Sequence, residues 1–308
     1  MSLFDRAKFI LTANAYKAGK LYALKGNDLV FSRSSIASRI NSSGNVESTA
    51  INVPRLNYVN DTAKIQIESS ASNLATSQDI TALPGGTVSL NSRISPKGDT
   101  TAHSLIFGNE LNSAASIPIG GVAASPSTQY TFSFWARSIS GNGNIETRIG
   151  TNTSTVLDIN LFVATSEWKR FTRTFTTDVN AISFPVSISR FRNQNNNFGE
   201  VEIWGMQLEL GAVATSYMLP GSLTRAADQP ESFNPVSLGY LLANEGSIVI
   251  NDTVYKYTSD GNMETFVDGV SQGTEAATPP TSWTLPVGET ERVLMFDYPL
   301  TTNEIEAL

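Results

Sequence analysis

Val201–Asp228, VEIWGMQLELGAVATSYMLPGSLTRAAD, is the stretch whose reading decides the fold. Its first half alternates: Val201, Ile203 and Gly205 point one way and Glu202, Trp204 and Met206 the other, with Val, Ile and Trp suited to a pleated surface. Apolar groups on both faces predict a strand in the middle of its sheet. From Gly211 small, polar and Pro/Gly residues take over through Pro220 and Gly221. The chain is expected to leave the sheet there and close a domain.

Working outward, Tyr130–Arg137, YTFSFWAR, is the clearest strand. Tyr130, Phe132, Phe134 and Ala136 form a face to be buried, and Thr131, Ser133, Trp135 and Arg137 form the opposite one. Further strands are expected at Ala102–Phe107, Ile145–Ile149, Leu157–Phe162, Trp168–Phe175 and Ile182–Ile188, with a loop at Asn193–Asn197. Past Asp228, Gln229–Pro235 reads as a linker. Glu245–Ile250, Thr253–Tyr257 and Met263–Val267 then begin a second β unit, and Thr301 and Glu304 have capping-box spacing for a short terminal helix. Toward the N-terminus, Gly26–Asp28 and Asn41–Asn45 are turns around short strands such as Leu29–Arg33. The opening Leu3–Leu11 run is too short and irregular to separate helix from strand.

Composition excludes several chemistries. The 308 residues contain no Cys and one His, His103, so disulfides, thiol nucleophiles, Cys-ligated zinc and multi-His metal sites are ruled out. His103 itself is read as an exposed or hydrogen-bonded residue at a strand edge rather than a catalytic one. A structural cation stays open, although no D-x-D-x-D-G loop marks a site for it, and no cofactor is expected. No apolar run approaches the roughly 20 residues of a membrane span, and MSLFDRAKFIL has too short an apolar run for a secretory signal. A net charge of −7 without a basic run interleaved with aromatics argues against nucleic acid. The charge is also uneven. Residues 1–25 hold Arg6, Lys8, Lys17, Lys20 and Lys25 against Asp5, while thirteen acids face Lys256 and Arg292 beyond Arg225. The basic end reads as a docking surface for an acidic partner, or as chance distribution on solvated surfaces.

Several stretches resemble bacteriophage virion proteins. Trp204-Gly205-Met206-Gln207-Leu208-Glu209 with Gly211, Ala214–Tyr217 and Thr224–Asp228 is similar to a closing signature "WGxQLExG…ATSY…TRAAD". SLFDRAKFILTANAYKAGKLYAL, FSRSSIASRINSSGNVES and NVPRLNY, from Ser2 to Tyr58, resemble the opening of the same proteins, with Ala13 where Pro is common. Ile65–Ala75 resembles "LLLEPxxTNL", with Ser69 and Ser70 at the Pro position and its neighbour. Ser95–Asp99 resembles "SPDGT", Trp168–Thr172 the "WxRFT" strand of carbohydrate-binding modules, and Val293–Leu308 the end of a laminin-G or concanavalin-like module.

The resemblance implies an all-β protein: a central antiparallel jelly-roll sandwich over residues 63–228, between a small β attachment segment at 1–62 and a small β unit at 229–308 that ends in a short helix. It implies a non-enzymatic tail or head fibre or appendage component on the particle surface. Such a protein assembles with itself, most often as a homotrimer, and meets other virion proteins through its N-terminal segment. Two alternatives stand beside it. One is a host-glycan receptor binder, with Trp135 as a stacking platform on a concave sheet and Arg137, Glu146 and Arg148 as hydrogen-bonding partners. The other is a glycan depolymerase, for which only abundant carboxylates speak. The bland reading of Trp135 is packing under a loop or a neighbouring subunit.

Overall fold

Period-two alternation needs a neighbour strand on each side and a layer to bury against. The computed structural model supplies both, describing residues 2–75, 80–82, 86–107, 114–117, 124–152, 155–181, 186–189, 199–219 and 223–308. The chain divides into two units, one of Met1–Ser43, Ser48–Ser70 and Ala226–Leu308, the other of Gly44–Glu47 and Ala71–Arg225. The segments expected at 1–62 and 229–308 therefore form one unit rather than two. The sandwich begins at Ala71 rather than at residue 63.

The second unit is an antiparallel jelly-roll sandwich of two five-stranded sheets. The first runs in the order Gly86–Arg93, Ala102–Phe107, Gly199–Leu210, Gln129–Ser138, Lys169–Thr176, so the strand at 201 is central, as its two apolar faces predict. The second runs Thr155–Val163, Asn144–Asn152, Val186–Ser189, Ala114–Ile117, Thr81–Ala82. Tyr130, Phe132, Phe134 and Ala136 turn inward as read, and meet Ile145, Ile149, Val186 and Ile188 of the second sheet in one core. Phe134 also meets Phe162 edge-on, with ring centroids 5.7 Å apart. Burying one such ring stabilises the sandwich by about 1.5–3 kcal/mol relative to leaving it exposed. The loop expected at Asn193–Asn197 and the first residues of the Ile182–Ile188 strand lie outside the described residues.

In the first unit the ambiguous opening run is a strand, Phe9–Lys17. It lies between Lys20–Lys25 and Arg292–Phe296, with Phe9 opposite Met295 and Leu11 opposite Val293. A seven-stranded antiparallel sheet results, continuing through Gly246–Ile250, Thr253–Thr258, Asn262–Val267 and Val270–Ala276. Phe9, Leu11, Ile248 and Met295 pack on one side against Leu56, Ile65 and Ile67 of a three-stranded sheet formed by Arg55–Val59, Thr62–Ile67 and Gly288–Thr290. Ile10, Val249, Leu294 and Phe296 pack on the other side with Ile305. Ile305 belongs to the terminal helix Thr302–Glu306, which carries the expected Thr301/Glu304 capping box. This interleaving explains why the ends cannot be separate domains: each supplies strands that the other needs to cover its apolar faces. The expected linker at 229 is instead partly a strand, as Gln229–Pro230 pairs with Phe31–Ser32. Among the described residues no helix is long and apolar enough to cross a membrane.

Candidate functional site

Gly205 organises the outward face of the first sheet of the sandwich. Ser133 stands opposite Gln207 but Trp135 opposite Trp204, so Gly205 and Met206 together face Phe134. This is a β-bulge with Gly205 at φ +66°, a conformation in which glycine escapes the Cβ clash. The bulge shifts the phase: Met206 and Leu208 turn into the core with Val201 and Ile203, correcting the expected placement of Met206 on the face opposite those two. Trp204 and Gln207 both face out. Asn73 fixes the site from a neighbouring segment of the same unit, its Oδ1 accepting from the Leu208 N–H at 3.0 Å and its Nδ2 donating to the Met206 carbonyl at 3.2 Å.

Trp135 points outward, on the face expected for it, and is covered there. It is 6% exposed. Its ring meets Trp204 at 5.3 Å and Tyr217 at 5.6 Å, and the Arg170 guanidinium lies 4.5 Å from its centroid. The cover is the segment after Gly211. Gln207 Nε2 donates to Glu209 at 2.7 Å and to the Ser216 carbonyl at 3.3 Å, while Gln207 Oε1 accepts from the Met218 N–H at 2.8 Å. Glu209 accepts from the Thr215 N–H at 3.0 Å, and Arg170 donates to the Thr215 carbonyl at 2.7 Å. Burial pushes the Tyr217 hydroxyl well above its ordinary pKa. A stacking platform for sugar is thus not available at Trp135, because the chain's own residues occupy the ring faces.

The other candidates do not gather around it. Arg137 is ion-paired with Glu202 at 2.5 Å and lies over the Trp168 ring at 5.0 Å. Glu146 and Arg148 belong to the second sheet, where they pair with each other and are almost fully buried. The four residues therefore fall into two groups on two sheets. Glu200 and Glu202 are closely spaced acids, but each is engaged: Arg93 reaches both, at 2.6 and 3.2 Å, and Ser104 donates to Glu200 at 2.7 Å. The Ser104 hydrogen bond, helped by Arg93 and opposed by partial burial, holds the Glu200 carboxyl below the usual range. His103 is inside, with Nδ1 accepting from the Asn91 N–H at 3.0 Å. It is hydrogen-bonded, one of the two readings, but buried on a strand flanked on both sides rather than exposed or at an edge.

A second convergence, absent from the sequence reading, lies in the first unit. Arg33, Arg55, Glu68 and Asp228 meet in its interior. Arg33 Nη1 is 2.9 Å from Asp228 Oδ1, Arg55 Nη2 bonds the other oxygen of Asp228, and Arg55 Nη1 donates to Glu68 at 2.7 Å. Arg33 also donates to the carbonyls of Ser35 at 2.9 Å and Ala50 at 2.6 Å. Desolvation lowers the Arg33 pKa, opposed by Asp228. The available signal was the set of charged residues inside otherwise apolar or small-residue motifs, FSR, VPRL, QIE and AAD. Among the described residues no group of three or more His, Asp or Glu could hold a metal ion.

What these features define is an all-β protein whose jelly-roll unit has a self-covered outer face. No protein-family model matches the chain, and no curated protein matches it either. Solved structures do show similarity. A family 11 carbohydrate-binding module of a cellulosomal cellulase of Clostridium thermocellum is similar over 47% of this chain and 96% of its own, with 12% identity and a TM-score of 0.32. A xylan-binding domain from Paenibacillus barcinonensis is similar over 48% and 99%, with 10% identity and a TM-score of 0.33. The enzymatically active domain of tailspike protein 4 of bacteriophage CBA120 is similar over 46% and 20%, with 14% identity and a TM-score of 0.30.

Proposed function

We propose that this chain is a non-enzymatic structural protein of a bacteriophage particle, a tail or head fibre or appendage component. In this reading it assembles with copies of itself, three being the number the resemblance implies, is joined to other virion proteins through its N-terminal part, and can meet the host surface. What supports it is where the phage-like motif residues stand. Trp204, Gln207, Glu209 and Tyr217 hold the return segment over the sheet, and Arg33, Arg55 and Asp228 form a buried knot. The motifs maintain architecture, and their charged groups are taken up by one another. A group already engaged on every side is poorly placed to move a proton or bind a substrate.

Antibody labelling of intact particles tests the reading. Label on the particle surface, with no shortening of host polysaccharide by the purified chain, is the expected result. Particles that lack the chain, or polysaccharide cleavage by it, overturn the proposal.

A further inference from the structure

The seven-stranded sheet carries an excess of opposite charge toward its two margins. At one margin a two-residue turn, Ala18 at φ +49° and Gly19 at φ +78°, sets Lys17 directly opposite Lys20. Like charges in direct register destabilise a hairpin unless something offsets them. Among the described residues, no carboxylate lies within ion-pair distance of either lysine. Tyr22 and Leu24 continue the row from Lys20 along the marginal strand, 36% and 64% exposed.

The far margin is the reverse. Every residue of Val270–Ala276 is exposed, Val270 at 63%. Residues 253–276 contain Asp260, Glu264, Asp268 and Glu275 against Lys256 alone, and Lys256 stands in register with Glu264. Beside this margin is a cavity of about 440 Å³. Its floor includes Val249, Val254 and Ile305, and its rim Asp252, Asp268 and Glu306. The one cation lining it, Arg292, is held by the Leu308 carbonyl at 2.9 Å and lies 3.5 Å from Asp252. An apolar floor under a carboxylate rim suits a lysine, whose methylene stem seeks apolar surface while its ammonium seeks charge.

The two margins cannot neutralise each other within one chain. Six strand spacings of about 4.8 Å put them about 29 Å apart, several times the screening length of about 8 Å at physiological salt. An unrelated acidic partner would satisfy the lysines and leave the acids unmet. A second copy satisfies both at once.

We propose that copies of this chain join head to tail, the Lys17–Lys20 hairpin of one docking on the acidic Val270–Ala276 margin of the next. Such a contact is heterologous, so it closes into a ring or extends into a filament according to its rotation. The inference rests on the self-assembling reading above and names the surface that reading leaves open.

The test is the mass in solution of the full chain, by light scattering across concentration and salt. Wild type is expected to associate, and added salt to weaken it. The pair Lys17→Glu/Lys20→Glu, and separately Asp268→Lys/Glu275→Lys, are each expected to weaken association roughly tenfold or more. The fourfold variant carrying both swaps is expected to regain it. Lys17→Gln/Lys20→Gln, which introduces no new charge, is expected to weaken association in the same direction. Association unchanged by either pair, or not restored in the fourfold variant, overturns this surface while leaving self-assembly standing. A wild type that stays monomeric at every concentration overturns both.

Discussion

Arg33 and Asp228 stand 195 positions apart in the chain, yet Nη1 of one lies 2.9 Å from Oδ1 of the other, with both side chains wholly out of solvent. Asp228 bonds Arg55 as well and accepts from the Glu68 N–H at 2.8 Å. Four segments of the first unit are thereby held by one carboxylate. A buried pair adds little over a good apolar packing, but removing one partner strands the other charge.

Asp228→Asn keeps the shape and removes the charge that the two buried guanidinium groups of Arg33 and Arg55 share. We expect a loss of about 3–5 kcal/mol, read as a lower denaturant midpoint for the first unit. A loss under about 1 kcal/mol, the usual worth of an exposed pair, would show that the cluster is not buried as described.

Gly205→Ala tests the bulge. An added Cβ would meet Trp135 Cε3 at 2.8 Å and Tyr217 Cε2 at 3.3 Å, on a backbone at φ +66°. Left-handed backbone costs a residue with a Cβ about 1–2 kcal/mol, and overpacking typically adds about 1–3. The variant is expected to unfold more easily and to show red-shifted tryptophan emission as Trp135 and Trp204 are wetted. Unchanged emission and midpoint would remove the bulge from the account.

The two outcomes above differ in how far they could be read from residues alone. The inward row Tyr130, Phe132, Phe134 and Ala136 was legible because nothing interrupts its period. The phase at Met206 was not, because a bulge appears in a sequence only as a glycine, and only the partner strand shows where the extra residue falls. The outward direction of Trp135 was legible; its cover was not, since the covering segment is placed by Gln207 and Arg170 acting across strands. Glu146 and Arg148 were grouped with Trp135 because alternation assigns a face but not a sheet. Val270–Ala276 escaped notice as a strand because an exposed margin of Ser, Gln, Gly, Thr and Glu has no apolar row to betray it.

Gln207→Leu probes the cover directly. The side chain is wholly buried and satisfies the Met218 N–H. An apolar replacement leaves that donor unpaired, at a cost of about 1–3 kcal/mol. The segment 211–219 is expected to open more often, and limited proteolysis should cut there first and faster than in wild type. Cleavage at the wild-type rate, with the same first site, would mean that Gln207 does not hold the segment.

Glu200 supplies a pH dependence whose sign can be worked out. Its folded pKa lies below the ordinary 4.5, chiefly through the Ser104 hydrogen bond and then Arg93, against the opposing effect of burial. A depressed carboxyl stabilises the folded state fully above the unfolded value, and that contribution fades as pH falls through the folded one. Glu200→Gln should therefore be less stable than wild type at pH 7, by about 1 kcal/mol given its partial exposure. The gap should shrink below about pH 4.5 as the wild-type carboxylate takes up its proton. Denaturant titrations of both proteins across that range measure it; a gap that persists unchanged into acid would place the effect in packing rather than in charge.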